Sequence, residues 1–537
     1  MNARTTDKTP FLSCEGVSVQ FYDGKSPVLS DMSVAIRERE SVLLLGPSGS
    51  GKTTLLQVLA GIIPHSIEAW FKGTVTRPDR VGVMFQDPDA QFCMLTVEDE
   101  IAFSLENLRF PPERMRGRME ELLREVRLDV PLHWRINELS GGMKQRLALA
   151  CLLSLEPEVL FFDEPTAQLD PQNTAQVLSD IRKLKGEKTL VLIEHKLDGV
   201  IDWVDRVLLF DPQGRLQGDG RPEDVLRDHA DAIRESGIWQ PKLWPVQWDE
   251  LLGDQQHPVA RRLAAEWQAK AADLSRGLHG SSPLVDVRGA EMRYKKGHTV
   301  WSSVDVQVQP GEWVAIVGPN GAGKSTFLKT VGGLLDATAG SVRFKDKEVS
   351  RYKPEQLYDA VGFVFQNPEH QFIADTVFEE VAFGGKLAGW PEERIEREAT
   401  KLLADFHLLE ARDKNPFALS QGQKRRLSVA GMLLKNQELL LLDEPTFGQD
   451  AATTRELLQR LQERNEQGTT IMMATHDVEL VSDYATRVLV FAEGGVLFDG
   501  TPHELFGNEE LLKRASLTAP LAYEYHLCAR KEENVHV

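Results

Sequence analysis

The sequence predicts two α/β domains in tandem, each a largely parallel sheet covered by helices on both faces, and three observations predict it. Asp163 recurs as Asp443, Ser140 as Ser420 and Gln86 as Gln366 at one constant displacement, the mark of a whole domain duplicated; the period is far too long for a solenoid. Short, fully apolar runs at 159–162 and 439–442 alternate with helical segments. Strands apolar on both faces belong in parallel sheets buried between helices. Each half also runs an apolar strand into a Gly-rich turn and then a helix. The register breaks near the front, where Gly46 recurs as Gly318. The second half therefore carries about eight extra residues between this turn and Gln366.

A chain of 537 residues, 42% apolar and 27% charged, holds two such domains and a connector. We place the first domain at 10–236, a Trp/Pro-rich linker at 237–282, the second domain at 283–512 and a tail at 513–537. The longest apolar runs fall far short of the roughly 20 residues a membrane-crossing helix needs. Residues 1–10 lack the apolar core of a signal or transit peptide. The expectation is a cytoplasmic protein that touches a membrane only through a protein partner. A formal charge of −19 argues against nucleic acid or anionic lipid held by net charge. Cys14, Cys93, Cys151 and Cys528 stand far apart, which suits a reducing compartment and offers no metal-binding spacing.

Along the chain, 12–21 and 284–294 alternate as strands, 42–45 and 314–317 are the apolar strands before the Gly-rich turns, and 122–127 and 401–409 read as helices. The linker holds Trp239, Trp244, Trp248 and Trp267 among Pro241, Pro245 and Pro258. Aromatic residues at that density point to a docked segment and not a flexible tether.

The two turns carry chemistry. Gly46, Pro47, Ser48, Gly49, Ser50, Gly51, Lys52 and Thr53, followed by Thr54, fit GxxxxGK[ST]. So do Gly318, Pro319, Asn320, Gly321, Ala322, Gly323, Lys324 and Ser325, followed by Thr326. Glycines let the backbone curl its N–H groups toward phosphate oxygens, the helix start adds positive potential, and the lysine reaches the terminal phosphates. Thr53 and Ser325 supply hydroxyls for Mg²⁺, so ATP and Mg²⁺ are the expected cofactors.

Asp163-Glu164 and Asp443-Glu444 end apolar strands, where open α/β sheets present their ligands. The first acid of each pair, Asp163 or Asp443, suits Mg²⁺; the second, Glu164 or Glu444, suits the base that activates water. Gln86 and Gln366 follow short apolar strands, and the residues alone leave open whether their amides touch Mg²⁺ and water. His195 and His476 also end apolar strands and are open between a structural and a catalytic reading.

Leu139-Ser-Gly-Gly-Met-Lys-Gln-Arg146 and Leu419-Ser-Gln-Gly-Gln-Lys-Arg-Arg426 resemble the signature motif of ATP-binding-cassette (ABC) proteins, and the resemblance covers both halves nearly end to end. It implies two ABC-type P-loop nucleotide-binding domains, each with a RecA-like core, a small antiparallel β subdomain and a helical signature subdomain. It also implies two composite ATP sites formed by pairing the domains within the chain or, as the second alternative, between chains. In one, Lys52, Thr53, Gln86, Asp163, Glu164 and His195 face Ser420 and Gly422; in the other, Lys324, Ser325, Gln366, Asp443, Glu444 and His476 face Ser140, Gly141 and Gly142. Phe21 and Tyr294 match the family's adenine-stacking aromatic, and Asp170 and Asp450 the aspartate linking the sites. The departures are Gln421 for a glycine, Met143 for a glutamine, and Gln168 and Gln449 before those aspartates. None removes a catalytic group, so both sites are expected to work.

Phe85-Gln-Asp-Pro-Asp-Ala-Gln-Phe92 with Thr96-Val-Glu-Asp-Glu-Ile-Ala-Phe103, and Phe365-Gln-Asn-Pro-Glu-His-Gln-Phe372 with Thr376-Val-Phe-Glu-Glu-Val-Ala-Phe383, are similar to segments of energy-coupling factor (ECF) ATPases in their fused two-domain form. That resemblance implies a peripheral ATPase on the cytoplasmic face of the cell membrane. Its partners would be a transmembrane coupling subunit and a small substrate-binding membrane subunit, with no nucleic acid involved. The implied cargo is a vitamin or precursor, hydroxymethylpyrimidine or thiamine first, with another vitamin or Co²⁺/Ni²⁺ behind. A soluble tandem ATPase acting on ribosomes or in DNA repair is the alternative. The short Trp/Pro-rich connector and the absence of coiled-coil heptads or zinc-binding cysteines weigh against it.

Overall fold

The computed structural model describes residues 11–22, 26–167, 169, 171–272, 282–294 and 299–535. The chain divides into two compact units between Pro245 and Val246. In the first, β1 (Leu12–Gln20) pairs antiparallel with β2 (Leu29–Ile36) and β4 (Trp70–Thr76). The main sheet holds β3 (Ser41–Leu45), β5 (Val81–Met84), β6 (Val159–Asp163), β7 (Thr189–Ile193), β8 (Arg206–Phe210) and β9 (Leu216–Gly220). Its order is β5-β6-β7-β3-β8-β9, with every pairing parallel except that of the edge strand β9.

Strands β3, β6 and β7 are buried at every residue because helices cover both faces. Alternate residues serve opposite faces. Leu43, Leu45, Leu160, Phe162, Leu190 and Leu192 join the core on one side, and Val42, Leu44, Val159, Phe161, Val191 and Ile193 the core on the other.

The second unit repeats the plan. Strands β10 (Val285–Arg293), β11 (Thr299–Val308), β13 (Ala339–Phe344) and β14 (Lys347–Glu348) form the antiparallel sheet. The six-stranded sheet holds β12 (Trp313–Val317), β15 (Val361–Val364), β16 (Leu439–Asp443), β17 (Thr470–Ala474), β18 (Arg487–Ala492) and β19 (Gly495–Gly500), in the order β15-β16-β17-β12-β18-β19. The register break seen in the sequence has a structural form. From β4 to β5 the chain crosses directly through 77–80, whereas between β13 and β15 it adds β14, a 3-10 turn (Val349–Arg351) and a helix (Pro354–Ala360).

Each unit has a helical subdomain, with helices Val97–Asn107, Pro112–Glu125 and Gly141–Ser154 in the first and Val377–Leu387, Glu392–Asp405 and Gln421–Leu433 in the second. The sequence placed the middle helices at 122–127 and 401–409. Both begin earlier, behind Pro111 and Pro391, with first turns rich in Glu and Arg that an apolar pattern does not register. Both stop sooner, where Arg127 and His407 turn left-handed at φ 53°.

The linker contains helices, Trp248–Gly253 and Pro258–Ala272, and the second lies along the carboxy-terminal helix Leu521–Val535 within the second unit. Trp267 stacks on His526, with ring centroids 3.7 Å apart and planes 13° from parallel, and Lys270 pairs with Asp483 at 2.6 Å. Among the described residues, no helix is long and apolar enough to cross a membrane. Replacing Trp267 by Ala removes the stack, worth about 0.5–1.5 kcal/mol beyond its buried area. Hydrogen exchange of residues 521–531 should then rise, with the first unit's sheet unaffected.

Candidate functional site

At one end of each main sheet, four parallel strands finish together. The pairing register sets Met84, Phe162, Leu192 and Leu43 in one row, and Val364, Leu442, Met473 and Ala315 in the equivalent row. Just beyond these rows come the Gly-rich turn after β3 or β12, Gln86 or Gln366 after β5 or β15, the acidic pair at the end of β6 or β16, and His195 or His476 after β7 or β17. This is the carboxyl edge where open α/β sheets place their ligands.

The phosphate loops close onto helices Lys52–Leu59 and Lys324–Val331 through Gly51 (φ 82°) and Gly323 (φ 92°). Residues with a side chain rarely adopt these conformations, and a Cβ at Gly323 would stand 2.6 Å from Trp301. Lys52 is buried and donates to the carbonyls of Gly46 and Pro47 at 2.8 Å each; Lys324 donates to those of Gly318 (2.7 Å) and Pro319 (3.0 Å). Burial lowers the Lys52 ammonium to about 8, and Glu164 and Asp163 act against that shift.

Thr53 Oγ1 donates to Asp163 Oδ1 at 3.2 Å, and Ser325 Oγ to Asp443 Oδ1 at 2.9 Å. A hydroxyl beside a carboxylate, all oxygen, is the donor set a hard divalent cation such as Mg²⁺ takes while keeping most of its water, so these residues fit the ion. Burial raises Asp163 to about 6, assisted by the Glu164 charge, and raises Asp443 in the same direction.

Glu164 and Glu444 hold left-handed backbone conformations, φ 50° and 52°, unusual for a long side chain. Their N–H groups donate to Ile193 O (2.9 Å) and Ala474 O (3.0 Å), which fixes both turns against the neighbouring strand. Glu164 accepts from Gln86 Nε2 at 2.7 Å and stands 2.7 Å from His195 Nε2; Glu444 stands 3.0 Å from His476 Nδ1. Burial disfavours charge on both partners of the first pair. Their mutual hydrogen bond and attraction prevail, lowering Glu164 and raising His195. A carboxylate so placed can take a proton from water, and an imidazolium beside it can donate to a phosphate oxygen.

Ser140 and Ser420 cap the helices that begin at Gly141 and Gln421, accepting from Met143 N (3.4 Å) and Gln423 N (3.3 Å). Only the second cap is reciprocal: Gln423 Oε1 accepts from Ser420 N at 3.1 Å, a bond that Met143 cannot make. Gln421 is exposed, so its side chain is accommodated, whereas a Cβ at Gly142 would meet Asn173 at 2.4 Å. Phe21 is half-buried against the first unit's core, and the Tyr294 hydroxyl lies 3.3 Å from Thr326 Oγ1. Gln449 donates to Gly422 O at 3.2 Å, and Asp450 caps its helix by accepting from Thr453 N. Gln168 and Asp170 lie outside the described residues.

Sequence reading missed three supports. Buried Glu100 accepts from Cys93 N and Met94 N (2.9 and 2.7 Å), and buried Glu380 from Ile373 N and Ala374 N (2.9 Å each), pinning the loops that follow the two glutamines. Their recurrence at equivalent positions was the available signal. Arg425, lowered to about 10 by burial, donates to the carbonyls of Phe365 (2.7 Å) and Gln366; its counterpart Gln145 is buried with no partner among the described residues. Glu194, beside His195, is buried against Thr166.

The family model described as ABC transporter matches residues 29–167 and 301–447. A putative HMP/thiamine import ATP-binding protein of Bacillus subtilis is 39% identical, over 96% of each chain. A putative ABC transporter ATP-binding protein of Methanosarcina acetivorans is 35% identical, over 98% of this chain and 91% of its own. The solved structure of cbiO1 from Clostridium perfringens, described as part of the ABC transporter complex cbiONQ, aligns at 32% identity with a TM-score of 0.39, covering 46% of this chain and 99% of its own.

Asp163, Glu194 and His195 all bind their protons more tightly than ordinary carboxyl or imidazole groups, so the folded chain loses stability as pH rises through the range between ordinary and shifted values. Glu164, shifted the other way, loses its contribution only as pH falls below its ordinary 4.5. The melting temperature without nucleotide should therefore fall between about pH 5 and about pH 8. Mg-ATP at about 100 times its Kd should return about 2.7 kcal/mol. A scan with no such fall would show that these groups are not shifted as their surroundings require.

Proposed function

The chain belongs to the ABC transporter family as an ATPase that couples ATP hydrolysis to transport, and from that premise we propose that it is the energy-coupling ATPase of an ECF-type importer. The observation that supports two working sites is that each half carries a complete set: phosphate-loop lysine, hydroxyl–Asp pair, glutamine, strained glutamate and histidine.

In this reading the Gly-rich loops and Lys52 or Lys324 hold the ATP phosphates, with Phe21 or Tyr294 against adenine and the helix starts at Ser140 and Ser420 as further anion sites. Thr53, Asp163 and Gln86, and in the second domain Ser325, Asp443 and Gln366, would hold Mg²⁺, which when bound neutralises charge on the phosphates. Glu164 or Glu444 accepts the proton of the attacking water. The hydrogen bond from Gln86 orients Glu164, and His195 or His476 donates toward the terminal phosphate. The raised Asp163 carboxyl becomes fully ionised when a cation sits beside it.

The proposed partners are a transmembrane coupling subunit and a small substrate-binding membrane subunit, reached from the cytoplasmic face. Exposed Phe103 and Phe383 at equivalent positions, with exposed Leu95 and Ile373 nearby in sequence, support docking of apolar partner helices beside Gln91 and Gln371. The name of the Bacillus subtilis relative makes hydroxymethylpyrimidine or thiamine the first cargo to test.

Loss of a general base costs about 10²–10⁴-fold. The double variant Glu164→Gln with Glu444→Gln should fall by that range, and each single variant by at least about twofold. A single variant with full turnover removes its site from the proposal. Copurification of the tagged chain from native membranes should recover two integral membrane proteins, one of them small and carrying a bound vitamin-like molecule. Ribosomes or DNA recovered without membrane protein would overturn the importer.

A further inference from the structure

The two halves share every reacting group, yet a buried carboxylate beside the first acidic pair, Glu194, is replaced by a threonine in the second half. Glu194 is 4% exposed, beside His195 at the end of β7, and its Oε1 accepts from both Thr166 N (3.2 Å) and Thr166 Oγ1 (2.8 Å). Thr166 lies two residues beyond Glu164, so the carboxylate ties the segment leaving the acidic pair back to the strand that delivers the histidine. In the second half the corresponding residue is Thr475, fully buried, whose Oγ1 accepts from Asp477 N at 3.1 Å; its hydroxyl serves its own turn and brings no charge.

We propose that Glu194 is a positioning residue of the first ATP site with no counterpart in the second. It holds the Glu164–Thr166 segment in place, and its charge adds to that of Glu164 in favouring the imidazolium of His195, so turnover at the first site alone responds to its ionisation. The inference rests on the assignment of Glu164 and His195 to the first site. A carboxylate accepts two hydrogen bonds from Thr166 best when ionised, and its negative charge favours the imidazolium that donates toward phosphate. Burial pushes the Glu194 carboxyl up to about 7, and Glu164 acts in the same direction, while the Thr166 hydroxyl and amide and the His195 imidazole oppose it. The charged groups facing it are Glu164 and His195, with Lys52 acting on the same pair from the phosphate loop. Glu194 therefore changes charge within the working pH range, while nothing at Thr475 does.

Two substitutions separate the tie from the charge. Glu194→Gln keeps an oxygen for Thr166 and removes the charge; Glu194→Ala removes both. On the full chain, the steady-state ATPase rate of the parent should climb through a step near pH 7, about 1.5- to 2-fold between pH 6 and pH 8 because only one of the two sites responds, and Glu194→Gln should flatten that step to less than about 1.2-fold. Hydrogen exchange of residues 163–167, compared with the parent at equal pH, should be unchanged in Glu194→Gln and raised severalfold in Glu194→Ala, with 443–447 unchanged in both. A Glu194→Gln profile identical to the parent's overturns the proposal, as does unaltered exchange in Glu194→Ala. Glu164→Gln, assayed in parallel, distinguishes the failures. If it retains full turnover the site assignment itself is wrong; if it loses turnover while Glu194→Gln matches the parent, only the role of Glu194 falls.

Discussion

Everything at either site depends on the central strand, β3 or β12, having parallel neighbours on both sides. A parallel ladder fixes the direction of each strand, so four carboxyl ends finish at one edge of the sheet, and four loops that are distant in sequence meet there. Burial on both faces then forces those strands to be apolar throughout, and the first polar residues after each run fall at that edge. Asp163, Glu164, Glu194 and His195 are close together because the strands before them cannot carry charge.

The same burial sets the electrostatics. Carboxylates removed from water cost several kcal/mol each unless a partner compensates. In the first unit Glu164 finds that partner in His195 and Gln86, whereas Asp163 has a hydroxyl and a neighbouring carboxylate and binds its proton more tightly. A site with an undercompensated Asp beside a well-compensated Glu is arranged to gain from a cation at the Asp while leaving the Glu ionised to accept a proton. The left-handed backbone at Glu164 and Glu444 belongs to the same arrangement, because it turns the chain so that consecutive acids serve different partners.

Much of this was legible in the sequence because it rests on short-range rules. The apolar run, the Gly-rich turn and the terminal Asp-Glu pair each follow from what a buried strand and a phosphate loop require, and the structure brings Glu164 to His195 and Glu444 to His476, which the residues alone left open. What escaped notice depended on long-range placement. The polar first turns of Pro112–Glu125 and Glu392–Asp405 carry no periodic apolar signal, and the carboxy-terminal helix finds its partner in Pro258–Ala272 across most of the second domain's length. Glu100, Arg425 and Glu194 look like ordinary charged residues until the fold shows them buried against backbone groups.

The two halves keep the reacting groups and diverge in what supports them. Gln423 completes a capping box that Met143 leaves half made, Arg425 clamps the carbonyls of Phe365 and Gln366 where Gln145 finds no partner among the described residues, and Thr475 stands where Glu194 carries a buried charge. Such differences leave the candidate groups of both sites in place and alter what ties each loop to the rest of its unit. A clamp on the glutamine loop raises the cost of moving it, while a missing one lowers that cost, and under the proposed docking such movement would carry nucleotide state to a partner protein. Duplication with unequal supports therefore leaves one chain with two matching sets of candidate groups tied differently to their surroundings, the second by Arg425 at its glutamine loop and the first by Glu194 behind its acidic pair.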